Sequence, residues 1–263
     1  MATYLDRILA AHRAAAERDD RPLAPQVAAA AACAPARGFT AALRAGAGGP
    51  DSGVAVIAEI KRRSPSRGDL APGLDPAAVA RAYERGGAAC LSVLTDRDFF
   101  GGSADDLRAA RDATTLPVLR KDFTVAPADV CDARLMGADA VLLIAAALDD
   151  DELGELHTLA LDVGLDVLVE VHDEHDLDRA LGVGAAMVGV NQRDLVTFEV
   201  DHDRAVRVGK SMPSSVVRVA ESGIRGPDDA RALAAAGFDA ILVGETLVTA
   251  PDPSAAVARL GRP

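Results

Sequence analysis

The 263-residue chain has no tryptophan, three cysteines and only three lysines. Cys33, Cys90 and Cys131 are far apart and form no CxxC pair, so neither a disulfide framework nor a thiolate metal site is expected. Apolar runs such as "DAVLLIAAAL" are broken by charge well short of the ~18 residues a membrane span requires, and the leading "MATYLDRILAAHRAAAERDD" is charged throughout. The formal net charge of −12, with a pI near 4.8, opposes binding to nucleic acid or to an anionic membrane. GxSxG, HExxH and P-loop motifs are all absent. An ordered cytoplasmic protein without metal or cofactor is expected.

What is present has a repeating texture. From about residue 54, short apolar runs without period-two alternation are each followed by an Ala/Arg/Asp stretch of helical periodicity. The runs are "VAVIAEI" (54–60), "CLSVL" (90–94), "LPVLRK" (116–121), "DAVLLI" (139–144), "DVLVEV" (166–171), "AMVGVN" (186–191), "SVVRVA" (215–220) and "DAILVG" (239–244). Eight strand–helix units predict an α/β fold, a (β/α)8 TIM barrel over residues 51–263. An open doubly wound sheet is the alternative, but it would want a GxGxxG turn after an early strand, and none occurs. Residues 1–50 break the pattern. Their amphipathic and Ala-rich segments predict an N-terminal helical extension packed on the barrel, too short for a substantial core of its own.

A barrel of this type carries its chemistry at the C-terminal ends of the strands. There the sequence places Glu59 and Lys61, then Lys121, Glu170, Asn191 with Arg193, the triplet Glu221-Ser222-Gly223, and Gly244. The chain spells its charges as 25 Arg to 3 Lys and 30 Asp to 10 Glu, so two lysines and three glutamates at these positions stand out. Arg stays protonated, whereas a buried Lys can have its pKa lowered enough to exchange a proton. Glu59 and Lys61 share one face of a strand, and by themselves fit a structural ion pair as well as a catalytic one. Lys210, before strand seven, reads as a surface charge. The Gly-containing turns "AESGIRG" and "VGETLV" offer free N–H groups for a phosphate. His172 and His175 lack a well-placed third ligand and read as a solvated helix start. Phe99 and Phe100, on a Gly-flanked loop, fit either the core or an aromatic wall.

Taken together, "AEIKRRSPSRG", "LSVLTDRDFFGG", "PVLRKDF", "ADAVLLIAA", "LVEVHDE", "VGVNQRDLVTFEVD", "AESGI" and "ILVGE" resemble the indole-3-glycerol-phosphate synthase family of tryptophan biosynthesis. Even "GFTAALRAG" in the extension is similar, so the resemblance covers nearly the whole chain. It implies a carboxy-lyase that closes 1-(2-carboxyphenylamino)-1-deoxyribulose 5-phosphate to indole-3-glycerol phosphate with loss of carbon dioxide and water. Neither ring closure nor dehydration demands redox chemistry or a metal.

The resemblance also implies roles. Lys121 is the general acid of ring closure, and Lys61 holds the anthranilate carboxylate or serves as acid in dehydration. Glu59 and Glu170 remove protons and stabilise positive charge on nitrogen. Asn191, Arg193, Glu221 and Ser222 position the substrate, with Ser64 near its carboxylate. Phe100, Phe123, Leu142, Leu195 and Leu242 form an aryl pocket, and Ser222, Gly223, Gly244 and Glu245 offer backbone to the phosphate. Two departures stand out: Arg67 where Lys is usual, and Glu245 where some relatives have Ser, whose carboxylate should turn away from a phosphate. Alternatives are another phosphate-binding barrel isomerase of tryptophan or histidine biosynthesis, or a noncatalytic barrel subunit that binds pathway partners. A monomer is expected.

Overall fold

The computed structural model describes residues 3–47, 53–64, 67–194 and 199–261. Eight parallel strands close into a barrel: β1 (Ala55–Ile60), β2 (Cys90–Leu94), β3 (Val118–Lys121), β4 (Ala140–Ile144), β5 (Asp166–Val171), β6 (Met187–Asn191), β7 (Val217–Glu221) and β8 (Ala240–Val243). They are ordered as in the sequence, and β8 returns to β1 with Ala55 beside Ala240 and Ala58 beside Val243. Each expected run forms a strand with ends shifted by at most two residues. The missing alternation in a run such as "AVLLI" has a simple cause, since every residue of β4 is buried, one face inside the barrel and the other under helices.

Two apolar layers result. Val56, Ala58, Leu91, Val93, Val141 and Leu143 point outward beneath the helices, whereas Ala55, Ile57, Leu119, Leu168, Val219 and Leu242 fill the interior. No helix among the described residues is long and apolar enough to cross a membrane. Beyond β1, Arg63–Ser64 and Gly68–Asp69 pair as a short antiparallel hairpin that the sequence reading did not anticipate.

Three helices precede the barrel: α1 (Tyr4–Glu17), α2 (Leu23–Ala31) and α3 (Phe39–Gly46). Thr3 and Asp6 form a capping box that starts α1. At the N-terminal ends of the strands, Phe39 and Leu43 of α3 are fully buried against Ala55, Ile57, Cys90 and Leu119, closing the barrel floor. Two buried or half-buried carboxylates fix that plug: Asp139 accepts from Arg37 N and Asp166 from Thr40 N, both at 2.8 Å. α1 instead reaches the opposite rim. Its Arg13 binds Glu152 in a bidentate pair and donates to Ala147 O, just beyond β4.

The seven crossovers between the strands are helical, and two further helices follow β8. The crossovers hold α4 (Pro76–Arg85), α5 (Ala104–Asp112), α6 (Pro127–Leu135), α7 (Asp150–Asp162), α8 (Glu174–Gly182), α9 (His202–Gly209) and α10 (Pro227–Ala235), and after β8 come the short α11 (Glu245–Val248) and α12 (Pro253–Gly261). Phe39→Ala empties the floor of the barrel, so we expect a loss of about 3–5 kcal/mol in urea unfolding, with the fold retained. A loss below about 1 kcal/mol would show that α3 does not close the core.

Candidate active site

The inward series of each strand continues into the rim. On β1, Ala55 and Ile57 are followed by Glu59 and Lys61; on β3, Leu119 by Lys121; on β5, Leu168 by Glu170; on β7, Val219 by Glu221. On β2 and β4 the corresponding ends are apolar, Leu94 and Ile144. Polar and apolar strand ends therefore interleave around the mouth, with Lys121 of β3 rising between Leu94 of β2 and Ile144 of β4. Among these ends lies a cavity of about 580 Å³, the size of a small-molecule site.

Lys121 Nζ stands 3.4 Å from Glu170 Oε2 and 3.7 Å from Glu221 Oε2, and Glu170 Oε1 accepts from Asn191 Nδ2 at 3.0 Å. Lys61 Nζ pairs with Glu59 Oε1 at 2.6 Å. Burial opposes the charge on Lys121, but Glu170, Glu221 and Glu59 outweigh it and hold the ammonium above its ordinary value. This corrects the expectation of a lowered lysine pKa, because three carboxylates converge on a group that desolvation alone would neutralise. Burial also raises Glu170, yet Lys121, His172 and Asn191 bring it below the usual range. Glu221 then has no uncompensated cation left. Burial and the charge of Glu170 push it up to about 8, so at neutral pH it holds a proton.

Two glycines make this arrangement fit. A Cβ at Gly189 on β6 would lie 2.1 Å from Glu221 Oε1, and one at Gly244 would lie 2.2 Å from Glu59 Oε1 and 3.0 Å from Lys61 Nζ. Among the described residues Glu221 Oε1 has no hydrogen-bond partner.

At the ends of β7 and β8 the backbone turns sharply. Ser222 and Gly223 adopt left-handed φ values of 68° and 73°, an unusual conformation for serine. Gln192, almost fully buried, stabilises the turn by donating to Ser222 O at 2.8 Å, and Thr246 Oγ1 donates to Ile224 O at 2.7 Å, joining the two loops. Glu245 opens α11, and its carboxylate turns to Arg67 Nε at 2.9 Å. Ser64 Oγ accepts from Arg67 N at 3.2 Å, so it also shapes the loop after β1.

The apolar wall holds Phe100 and Phe123, with ring centroids 6.2 Å apart, alongside Leu94, Leu142, Ile144 and Leu242. Phe99 points elsewhere, edge-on to Tyr4 of α1 at 5.8 Å. Arg193 lines the same cavity, and its N–H donates to Asn191 Oδ1 at 3.0 Å. All site residues singled out from the sequence line this cavity except Leu195, which lies outside the described residues. His172 faces Glu170 and Asp176 at 3.9 Å, whereas His175 is exposed on α8. Lys210 is exposed at the end of α9.

Gln192, Gly189 and Thr246 escaped the sequence reading. Their only signal was position next to a strand-end polar residue or a turn. Because its methyl group would drive Glu59 from Lys61, we expect Gly244→Ala to cut kcat/KM by about a hundredfold while circular dichroism and thermal unfolding stay close to wild type. Full activity in that variant would show that the Glu59–Lys61 pair is not needed.

The chain is 51% identical to an indole-3-glycerol phosphate synthase from Mycobacterium ulcerans, over 98% of this chain and 94% of the relative. It is 52% identical to the protein of that name from Mycolicibacterium vanbaalenii, with the same coverage. Among solved structures it is similar to a thiamine phosphate pyrophosphorylase from Pyrococcus furiosus, with TM-score 0.59 and 18% identity over 80% of this chain and 95% of that one, a likeness of fold alone. The sequence model described as "Indole-3-glycerol phosphate synthase" matches residues 5–260, and the chain belongs to that family.

Proposed function

We propose that Lys121, Glu170 and Glu221 form the acid–base centre on which this synthase closes 1-(2-carboxyphenylamino)-1-deoxyribulose 5-phosphate to indole-3-glycerol phosphate. The observation that carries this reading is Lys121 Nζ held 3.4 and 3.7 Å from two buried carboxyl groups, those of Glu170 and Glu221. Ring closure develops negative charge on a ketone oxygen, and a fixed ammonium in a water-poor cleft both stabilises that charge and supplies its proton. The aryl carbon bearing the carboxylate attacks the ketone carbon while Lys121 protonates the oxygen. Loss of carbon dioxide returns its bonding pair to the ring.

Dehydration follows. The new hydroxyl leaves as water with a proton from Lys61, and Glu170 takes a proton from the adjacent methylene as positive charge on nitrogen is relieved, with Glu59 close by. Glu221, holding a proton 3.7 Å from Lys121, restores the ammonium after each donation. Asn191 holds Glu170 in place through its 3.0 Å hydrogen bond.

The remaining residues bind. Phe100, Phe123, Leu142 and Leu242 pack on the aryl ring, Lys61 and Arg193 face its carboxylate, and the Ser222, Gly223 and Gly244 backbone receives the phosphate. Glu245 contributes only its N–H, since its carboxylate is directed to Arg67. Family membership replaces the isomerase alternative, whose chemistry would use an Asp or Cys pair.

A fluorescence assay of indole-3-glycerol phosphate formation tests the assignment. Lys121→Met is expected to lower kcat by about 10²–10⁴-fold, and Lys61→Arg to lose activity despite keeping its charge. Near wild-type kcat in Lys121→Met would remove Lys121 from its role, and full activity in Lys61→Arg would reduce Lys61 to a charge.

A further inference from the structure

His12 belongs to α1, outside the barrel, yet its ring is largely buried against the active-site rim. Its Nε2 lies 3.0 Å from Asp96 Oδ2 and 3.9 Å from Asp122 Oδ1. Both carboxylates organise loops of the aryl wall. Asp96 accepts from the N–H groups of Phe99 and Phe100, at 2.7 and 3.0 Å, and so forms the turn that presents Phe100. Asp122 follows Lys121, accepts from the Phe123 N–H at 2.9 Å and is bound by Thr95 and Arg120. The His12 ring itself lies 5.4 Å from the Phe123 ring, which in turn faces Phe100.

We propose that His12, as an imidazolium, is a positioning residue of the substrate site: it ties the loops after β2 and β3 together and fixes the Phe100–Phe123 wall. The inference rests on the aryl-pocket reading above. The charged groups acting on His12 are Asp96 on the β2 loop, Asp122 just after β3 and Asp129 on α6, while Arg120 on β3 is paired with Asp122 and neighbouring Arg13 with Glu152. Arg120 neutralises Asp122, which leaves Asp96 for the imidazolium. Burial disfavours the charged ring, but Asp96, Asp122 and Asp129 outweigh it and raise its pKa above the ordinary value. His12, Asp96 and Asp122 also have the spacing of a metal cluster. Arg120 already occupies the cation position at Asp122, 2.9 Å from Oδ2, so an imidazolium suits the site better than a metal ion.

The sign follows from the raised value. The clamp is complete at low pH and is lost as pH rises through the folded-state pKa of His12. KM for the carboxyphenylamino-deoxyribulose phosphate should therefore rise on the alkaline side, whereas the titration of Glu221 acts on kcat. Three measurements test this: KM and kcat between about pH 6 and pH 9, the same for His12→Gln, His12→Lys and Phe100→Ala, and the NMR titration of the His12 ring in the free wild-type enzyme. Removing the charge in His12→Gln is expected to raise KM by about three- to tenfold at the acid end, with a smaller change in kcat and no alkaline rise left. His12→Lys is expected to keep KM low to higher pH. An ordinary or lowered His12 pKa overturns the proposal whether or not the variants fold. So does a KM in His12→Gln that matches wild type at every pH. If Phe100→Ala also leaves KM unchanged, the aryl wall itself has been misassigned and the role of His12 fails with it; if Phe100→Ala raises KM and His12→Gln does not, the wall stands and only the His12 link falls.

Discussion

One ammonium, Lys121 Nζ, is set among the buried carboxylates of the barrel mouth, and the charge balance there determines what each neighbour can do. Glu170, closer and held by Asn191, takes the ionised form. Glu221, slightly farther and beside an existing negative charge, retains its proton. A second cation, Lys61, is committed to Glu59 at 2.6 Å. Two cations and three carboxyl groups are thus held together without any buried charge lacking a counter-charge, in a protein whose net charge is −12.

The barrel makes this balance possible by geometry. Side chains alternate along each strand, so the row that fills the interior below continues as the row of charged groups lining the cavity above. Ile57 leads to Glu59, Leu119 to Lys121, and Val219 to Glu221. Glycine appears where two such rows would collide, at Gly189 beneath Glu221 and at Gly244 beside Glu59. Rigidity comes from both ends: α3 closes the floor with Phe39 and Leu43, and α1 reaches the rim with His12 and Arg13.

Much of this was legible in the sequence, for identifiable reasons. Strands buried on both faces appear as unbroken apolar runs, so all eight could be placed to within two residues. Rarity marked Lys61 and Lys121, because a chain with 25 Arg has only three Lys and keeps two of them at strand ends. The direction of the Lys121 pKa was not legible. It depends on Glu170 and Glu221 arriving from strands 49 and more residues away, and no local window contains that convergence. His12 was hidden for a related reason, since on its own helix it looks like one more polar residue, and its partners lie 84 or more residues away. Gln192 likewise acquires its function only through the carbonyl of Ser222. Leu195, read as part of the aryl pocket, lies outside the described residues.

The protonation of Glu221 is the central claim, and a carboxyl titration tests it directly. In protein labelled with ¹³C at the glutamate carboxyls, we predict one resonance that stays protonated at neutral pH, loses its proton as pH rises through about 8, and vanishes in Glu221→Gln. Because the folded-state value lies above the ordinary 4.5, stability contributed by this group falls as pH rises between the two values. If every glutamate is already ionised at neutral pH, or if the high-titrating resonance persists in Glu221→Gln, the shared charge of Lys121, Glu170 and Glu221 is not as described.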